Sequence, residues 1–172
     1  MKKLILLTLI VFMSISTIFS QTSKDSVYLI KYKDDMSGKT YIGPNRNFIV
    51  ANENSTIGFK VYAYITNKFE FGMIMVDMVN IGVCNENDEI IILFENGSKM
   101  IKNSWKDFNC DGETYFNVSG LDLFNLMTFP ISKIRMTNGY SNESFTGEVE
   151  PKDKRYFIQL FYALDNKLAV EE

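Results

Sequence analysis

Asp107, Asn109 and Asp111, followed by Gly112, repeat the Asp-x-Asn-x-Asp-Gly spacing with which calcium loops open. Oxygen donors at alternate positions suit a hard divalent cation, the glycine supplies the sharp turn, and Glu113 offers its backbone carbonyl at the next liganding position. The twelfth position, where a bidentate Glu closes such a loop, is Val118. The flanks also read as strand, so the stretch is no EF-hand. A looser oxygen-only site stays open if Glu86, Asp88 or Glu89 comes alongside. Without them the stretch is a polar turn that needs no metal. The expectation is no cofactor, with calcium as the alternative.

Trp105 and Tyr115 flank the same stretch and suggest a second chemistry. Flat aromatic faces stack on the C–H face of a pyranose, which would make the pair a ligand-binding platform for a glycan; the competing reading is that both fill the core. Asp77 is the most unusual carboxylate, because it interrupts the apolar run "GMIMVDMVNIGV". Either it is a buried acid with a raised pKa, or strand alternation turns it to solvent; the second reading is favoured. A carboxylate-dependent hydrolase would need a second acid facing it across a cleft.

Several chemistries are absent from the chain. There is no histidine, which removes the commonest general base and metal ligand, and with it Ser-His and Cys-His catalysis. No phosphate-cradling glycine loop and no Ser-x-x-Lys signature is present. No catalytic residue is assigned, and the chain is expected not to be an enzyme. The formal charge of −3, with scattered lysines, gives no electrostatic footprint for nucleic acid or an anionic membrane surface.

The elements that must position these residues are mostly strands. "SVYLIKY" and "IGFKVYAYI" alternate or run β-rich, and "FEFGMIMVDMVNIGV" reads as a long strand or bent pair in which Gly72 and Gly82 mark bulges or close approaches. "EIIILFENGSKMI" is a hairpin around Asn96-Gly97. That hairpin brings Cys84 and Cys110, the two cysteines of the chain, to one end of the sheet. If Glu95 faces Lys99, Cys84 faces Cys110, whereas a two-residue loop shifts the register by one. A Cys84–Cys110 disulfide is expected, closing a loop of about 26 residues with on the order of 3 kcal/mol of stabilisation; two buried free thiols are the alternative. "ISKIRMT" and "ESFTGEV" form a second hairpin around "NGYSN".

Two helices are signalled. Ser119 with Asp122 resembles a capping box before a helix over 120–127 that stops at Pro130. Pro151 opens a C-terminal helix over about 152–168, with Tyr156, Phe157, Leu160, Phe161, Leu164 and Leu168 at helical spacing. The fold class is thus α+β: a mostly antiparallel sheet, curled into a sandwich or half-barrel, with these two helices. Residues 1–20 read as a signal peptide, with "MKK" before an apolar run and Ser20 before the cut. Residues 21–172 would then be one β-rich domain, periplasmic or extracellular, with no stable membrane anchor after cleavage.

"NENDEIIILFENGSK", "FNCDGETYF" and "PISKIRMTNGYSNESFT", followed by an aromatic helix, resemble small secreted proteins of Bacteroidetes that have no assigned biochemical role. The resemblance implies a small exported domain and transfers no functional residue. The leading expectation is an exported, non-enzymatic interaction or structural module, its partner an unidentified protein or glycan. A glycan- or calcium-binding module and a carboxylate-dependent hydrolase are the alternatives.

Overall fold

Period-two alternation in the sequence becomes sheets with one apolar face each. A computed structural model describes residues 26–33, 35, 36, 38–66, 68, 70–105, 108–167 and 169–171. In chain order the strands β1 (Leu29–Lys33), β2 (Thr40–Pro44), β3 (Phe48–Ala51), β4 (Gly58–Ile65), β5 (Phe71–Val79), β6 (Glu89–Phe94), β7 (Lys99–Asn103) and β8 (Glu113–Phe116) precede helix α1 (Gly120–Thr128). Then come β9 (Ile131–Thr137), β10 (Ser144–Glu148), helix α2 (Tyr156–Asp165) and β11 (Ala169–Glu171). Residues 1–20, expected from their pattern to be a signal peptide, lie outside the described residues.

Two four-stranded antiparallel sheets, ordered β3-β4-β5-β8 and β10-β9-β6-β7, dominate the fold. A third sheet, β11-β1-β2, pairs β1 antiparallel with β2 and parallel with β11. In β5, Ile74, Val76 and Met78 are buried, while the intervening Met73, Met75 and Asp77 are partly exposed. Ile90, Ile92, Phe94, Ile134 and Met136 form the apolar face of the second sheet, and all join one core cluster. The sheets approach closely at Gly147, where a Cβ would stand 2.2 Å from Val50 Cγ1, so only glycine fits there. This is the α+β, mostly antiparallel architecture that the sequence implies, in its sandwich form.

Helix α2 lays its aromatic stripe on the sandwich. Phe48 stacks on Tyr156 at 5.3 Å, and Phe71 meets Phe161 at 5.0 Å. The helix is shorter than Pro151 and the apolar spacing suggest, since it starts at Tyr156 and ends at Asp165. Pro151–Arg155 form turns instead, because the Lys154 carbonyl accepts the N–H of Ile131 at 2.8 Å rather than continuing a helical ladder. At the other end Lys167 takes a positive φ of 51°, which stops the helix before β11. Helix α1 lies where expected, but Ser119 makes no side-chain cap. Asp122 pairs with Lys102 at 2.6 Å instead of closing a capping box.

The expected hairpin forms with a register two residues away from the one that aligns the cysteines. The Phe94 N–H donates to the Ser98 carbonyl at 3.0 Å, so the loop is Glu95 to Gly97 and the ladder runs from Leu93↔Lys99 to Glu89↔Asn103. Continued unchanged, it would set Cys84 opposite Phe108. Asn85 pairs with Asn109 instead, because the returning chain takes up two extra residues between Ser104 and Asn109. The disulfide therefore depends on that excursion as well as on the hairpin.

Candidate binding face and the loops that frame it

The solvent face of the β3-β4-β5-β8 sheet follows from its register. Lys60, Asp77 and Glu113 stand side by side across β4, β5 and β8, Tyr62, Met75 and Tyr115 form the next row, and Tyr64 and Met73 the row after that. Alternation puts all of these residues on the side away from the core, where Tyr64 is 58% exposed and Tyr62, Met73 and Met75 are half-buried. An aromatic and methionine strip thus lies beside a charged one. Asp77 takes the solvent-facing position, 3.9 Å from Lys60 Nζ.

Trp105 extends this strip past the edge of β8. Its N–H donates to the Tyr115 carbonyl at 3.4 Å, and its indole stacks on the Tyr115 ring with centroids 5.8 Å apart and planes 23° apart. Nearly half of Trp105 remains in solvent, at 47% exposure. The Tyr115 hydroxyl donates to Glu113 Oε2 at 2.9 Å, which fixes the ring in the strip. That hydrogen bond is the main reason why the phenol's pKa is raised, with burial and the charges of Glu113 and Asp111 adding to it. The two residues that the sequence suggested as a stacking pair are therefore brought together. Tyr62, Tyr64, Met73 and Met75 were missed, although the alternation Lys60-x-Tyr62-x-Tyr64 carries the signal.

Three loops converge beyond the strip, and one buried side chain ties them. Cys84 and Cys110 form a disulfide with Cα atoms 4.0 Å apart, next to the reciprocal Asn85–Asn109 backbone pair. Asn138 is fully buried. Its Nδ2 donates to the carbonyls of Cys84 at 2.8 Å and Ile81 at 3.2 Å and to Asn85 Oδ1 at 3.2 Å, while its Oδ1 accepts from the N–H groups of Tyr140 and Ser141. Gly82, at φ +79°, lies so close that an added Cβ would stand 2.5 Å from the Asn138 side chain. Asp88 is also buried; its Oδ1 accepts from Gly139 N–H at 2.8 Å, and its own N–H donates to Ser104 Oγ at 2.8 Å. These bonds give the loop that carries Trp105 a rigid base.

The calcium-like residues are arranged differently from a metal loop. Asn109 Oδ1 accepts from the Asp111 N–H at 3.3 Å, Asp111 is exposed, and the Glu113 carboxylate is turned to Tyr115. Asp88, a potential recruit, points inward to Gly139. Asp107 lies outside the described residues. Among the described residues no three Cys, Asp or Glu side chains converge as a metal would require.

The acids Asp77 and Glu113 are neighbours across β5 and β8. They lie on an open face, one paired with Lys60 and the other accepting from Tyr115. Comparison with known proteins gives no matching family model, no significantly similar curated protein and no significantly similar solved structure.

Proposed function

We propose that the chain is an exported, non-enzymatic binding module that lays a neutral glycan across the outer face of the β3-β4-β5-β8 sheet. The observation that carries this reading is the Trp105–Tyr115 stack, an aromatic platform half in solvent and fixed by a hydrogen bond to Glu113. Tyr62 and Tyr115 stand two strands apart on that face, about 10 Å, the span of a disaccharide. Asp77 and Glu113 beside them accept hydrogen bonds from sugar hydroxyls and repel anionic polymers. An uncharged polysaccharide fits both properties.

Binding without catalysis is favoured because the two carboxylates lie on a flat face and are already engaged, where a glycosidase pair would flank a cleft. Export to the periplasm or cell exterior is supported by the N-terminal residue pattern and the disulfide. No helix among the described residues is long and apolar enough to cross a membrane. Kinship with the small secreted Bacteroidetes proteins belongs to the same proposal. The test is affinity electrophoresis through gels containing single polysaccharides. Retardation by a neutral glycan that Trp105→Ala abolishes supports the reading; equal mobility of both proteins in every gel refutes it.

A further inference from the structure

We infer that the outer edge of β3 takes up an extended peptide strand from a partner protein. This surface lies across the sheet from Trp105 and does not depend on the glycan reading. The hydrogen bond from Asn52 N–H to the Ile57 carbonyl, 2.9 Å, fixes the phase of the β3–β4 ladder. Phe48 and Val50 then bond to β4, and the N–H and C=O groups of Ile49 and Ala51 point away from the sheet, with no partner among the described residues. The opposite edge is treated otherwise: the Glu113 carbonyl accepts from Asn85 Nδ2 at 3.0 Å and the Tyr115 carbonyl from Trp105 N–H. Among the described residues, one edge of the sheet is closed by side chain and loop, and the other is open.

Edges left open are usually blunted by charge. β7 carries exposed Lys99, and β10 carries exposed Glu148 paired with Lys133. β7 also exposes Ile101, but beside Lys99, whereas β3 has no charged residue and presents Ile49, 48% exposed, and Ala51. Beside it runs a groove of about 580 Å³ whose far wall is the Glu150–Asp153 turn. An apolar hollow of about 210 Å³ over Gly58, walled by Ile49, Ala51 and Val79, adjoins the same edge. Backbone groups that seek a ladder, room for a strand and a recess for an apolar side chain are the three requirements of strand addition.

The charges of the groove select the peptide. Arg46 is paired with Asp153, and Lys152 with Glu150 at 2.8 Å. Glu53, exposed at the turn after β3, carries no ion pair among the described residues. The occupant is therefore an extended segment with alternate apolar residues and a basic residue at the Glu53 end.

The test uses the peptide acetyl-Lys-Val-Thr-Val-Thr-Val-amide, titrated into 15N-labelled protein and followed by amide chemical shifts. Saturable shifts centred on Ile49 and Ala51 support the inference. Ile49→Pro removes an N–H that has no partner among the described residues, and should weaken binding about tenfold. Glu53→Lys, a change on an exposed side chain, should weaken this peptide and strengthen one with Glu in place of its Lys. Absence of saturable shifts, or shifts centred on β7 or β10, overturns the inference. So does a concentration-dependent dimer abolished by Ile49→Pro with no response to peptide, because that outcome gives the edge to a second copy of the chain.

Discussion

The side-chain amide of Asn138 donates to the carbonyl of Cys84 at 2.8 Å, so the loop between β9 and β10 is fastened to the disulfide that anchors the Trp105 loop. No water reaches this buried amide, and its loss would strand several backbone groups at once. Asn138→Ala is expected to cost about 2–4 kcal/mol. Denaturant unfolding, followed by the emission of Trp105, the sole tryptophan, measures it. A loss below about 0.5 kcal/mol, the range of ordinary surface changes, would show that the loops hold without this side chain.

Removal of the disulfide should lower stability through the unfolded state. With Cys84 and Cys110 26 positions apart in sequence, the Cys84→Ala/Cys110→Ala double variant should lose about 3 kcal/mol. Trp105 should also become more mobile, because its loop returns to the sheet through Asn109. Thermal unfolding and fluorescence anisotropy report the two effects separately, and unchanged anisotropy would mean that Tyr115 alone orders the indole.

Tyr115 gives the site a pH signature. The hydrogen bond to Glu113 raises its pKa above the usual 10.0, because ionisation would cost that bond and set a phenolate beside a carboxylate. The sign follows: this contribution to stability is fully present below pH 10 and is lost as pH rises through the raised value. Tyrosinate absorbance should show one tyrosine titrating later in the wild type than in Glu113→Ala, which has no side-chain acceptor. Superimposable titrations would show that the hydrogen bond does not form in solution.

Calcium should change little. The side chains of Asn109, Asp111 and Glu113 are spent on a turn, on solvent and on Tyr115. Millimolar calcium is expected to leave Tm unmoved relative to magnesium. A calcium-specific rise of several degrees would instead mean that the loop rearranges around an ion.

Much of this arrangement was legible in local pattern. Alternation identified the strands, Asn96-Gly97 located the hairpin, and the two cysteines pair as expected. Gly72 marks a bulge: Tyr64 faces Met73 while Ile65 faces Phe71. What could not be read depends on contacts distant in sequence. The start of α2 is set by Ile131 claiming the Lys154 carbonyl, and the loop excursion that aligns the cysteines leaves no local trace. Asn138 sits in an Asn-Gly pair that reads as a turn, and its partners at Ile81, Cys84 and Asn85 are supplied only by the folded chain. Trp105 and Tyr115 were suspected for their chemistry, whereas the rest of the strip emerged from the register across β4, β5 and β8.

The central claim is that the strip binds a neutral glycan, and Trp105 is its built-in reporter. Its fluorescence, titrated with soluble neutral glycans, should change saturably for at least one of them, without calcium. Tyr115→Ala, which removes the ring beneath the indole, should weaken that binding about tenfold. No saturable change with any neutral glycan, or affinity untouched by Tyr115→Ala, would contradict the account.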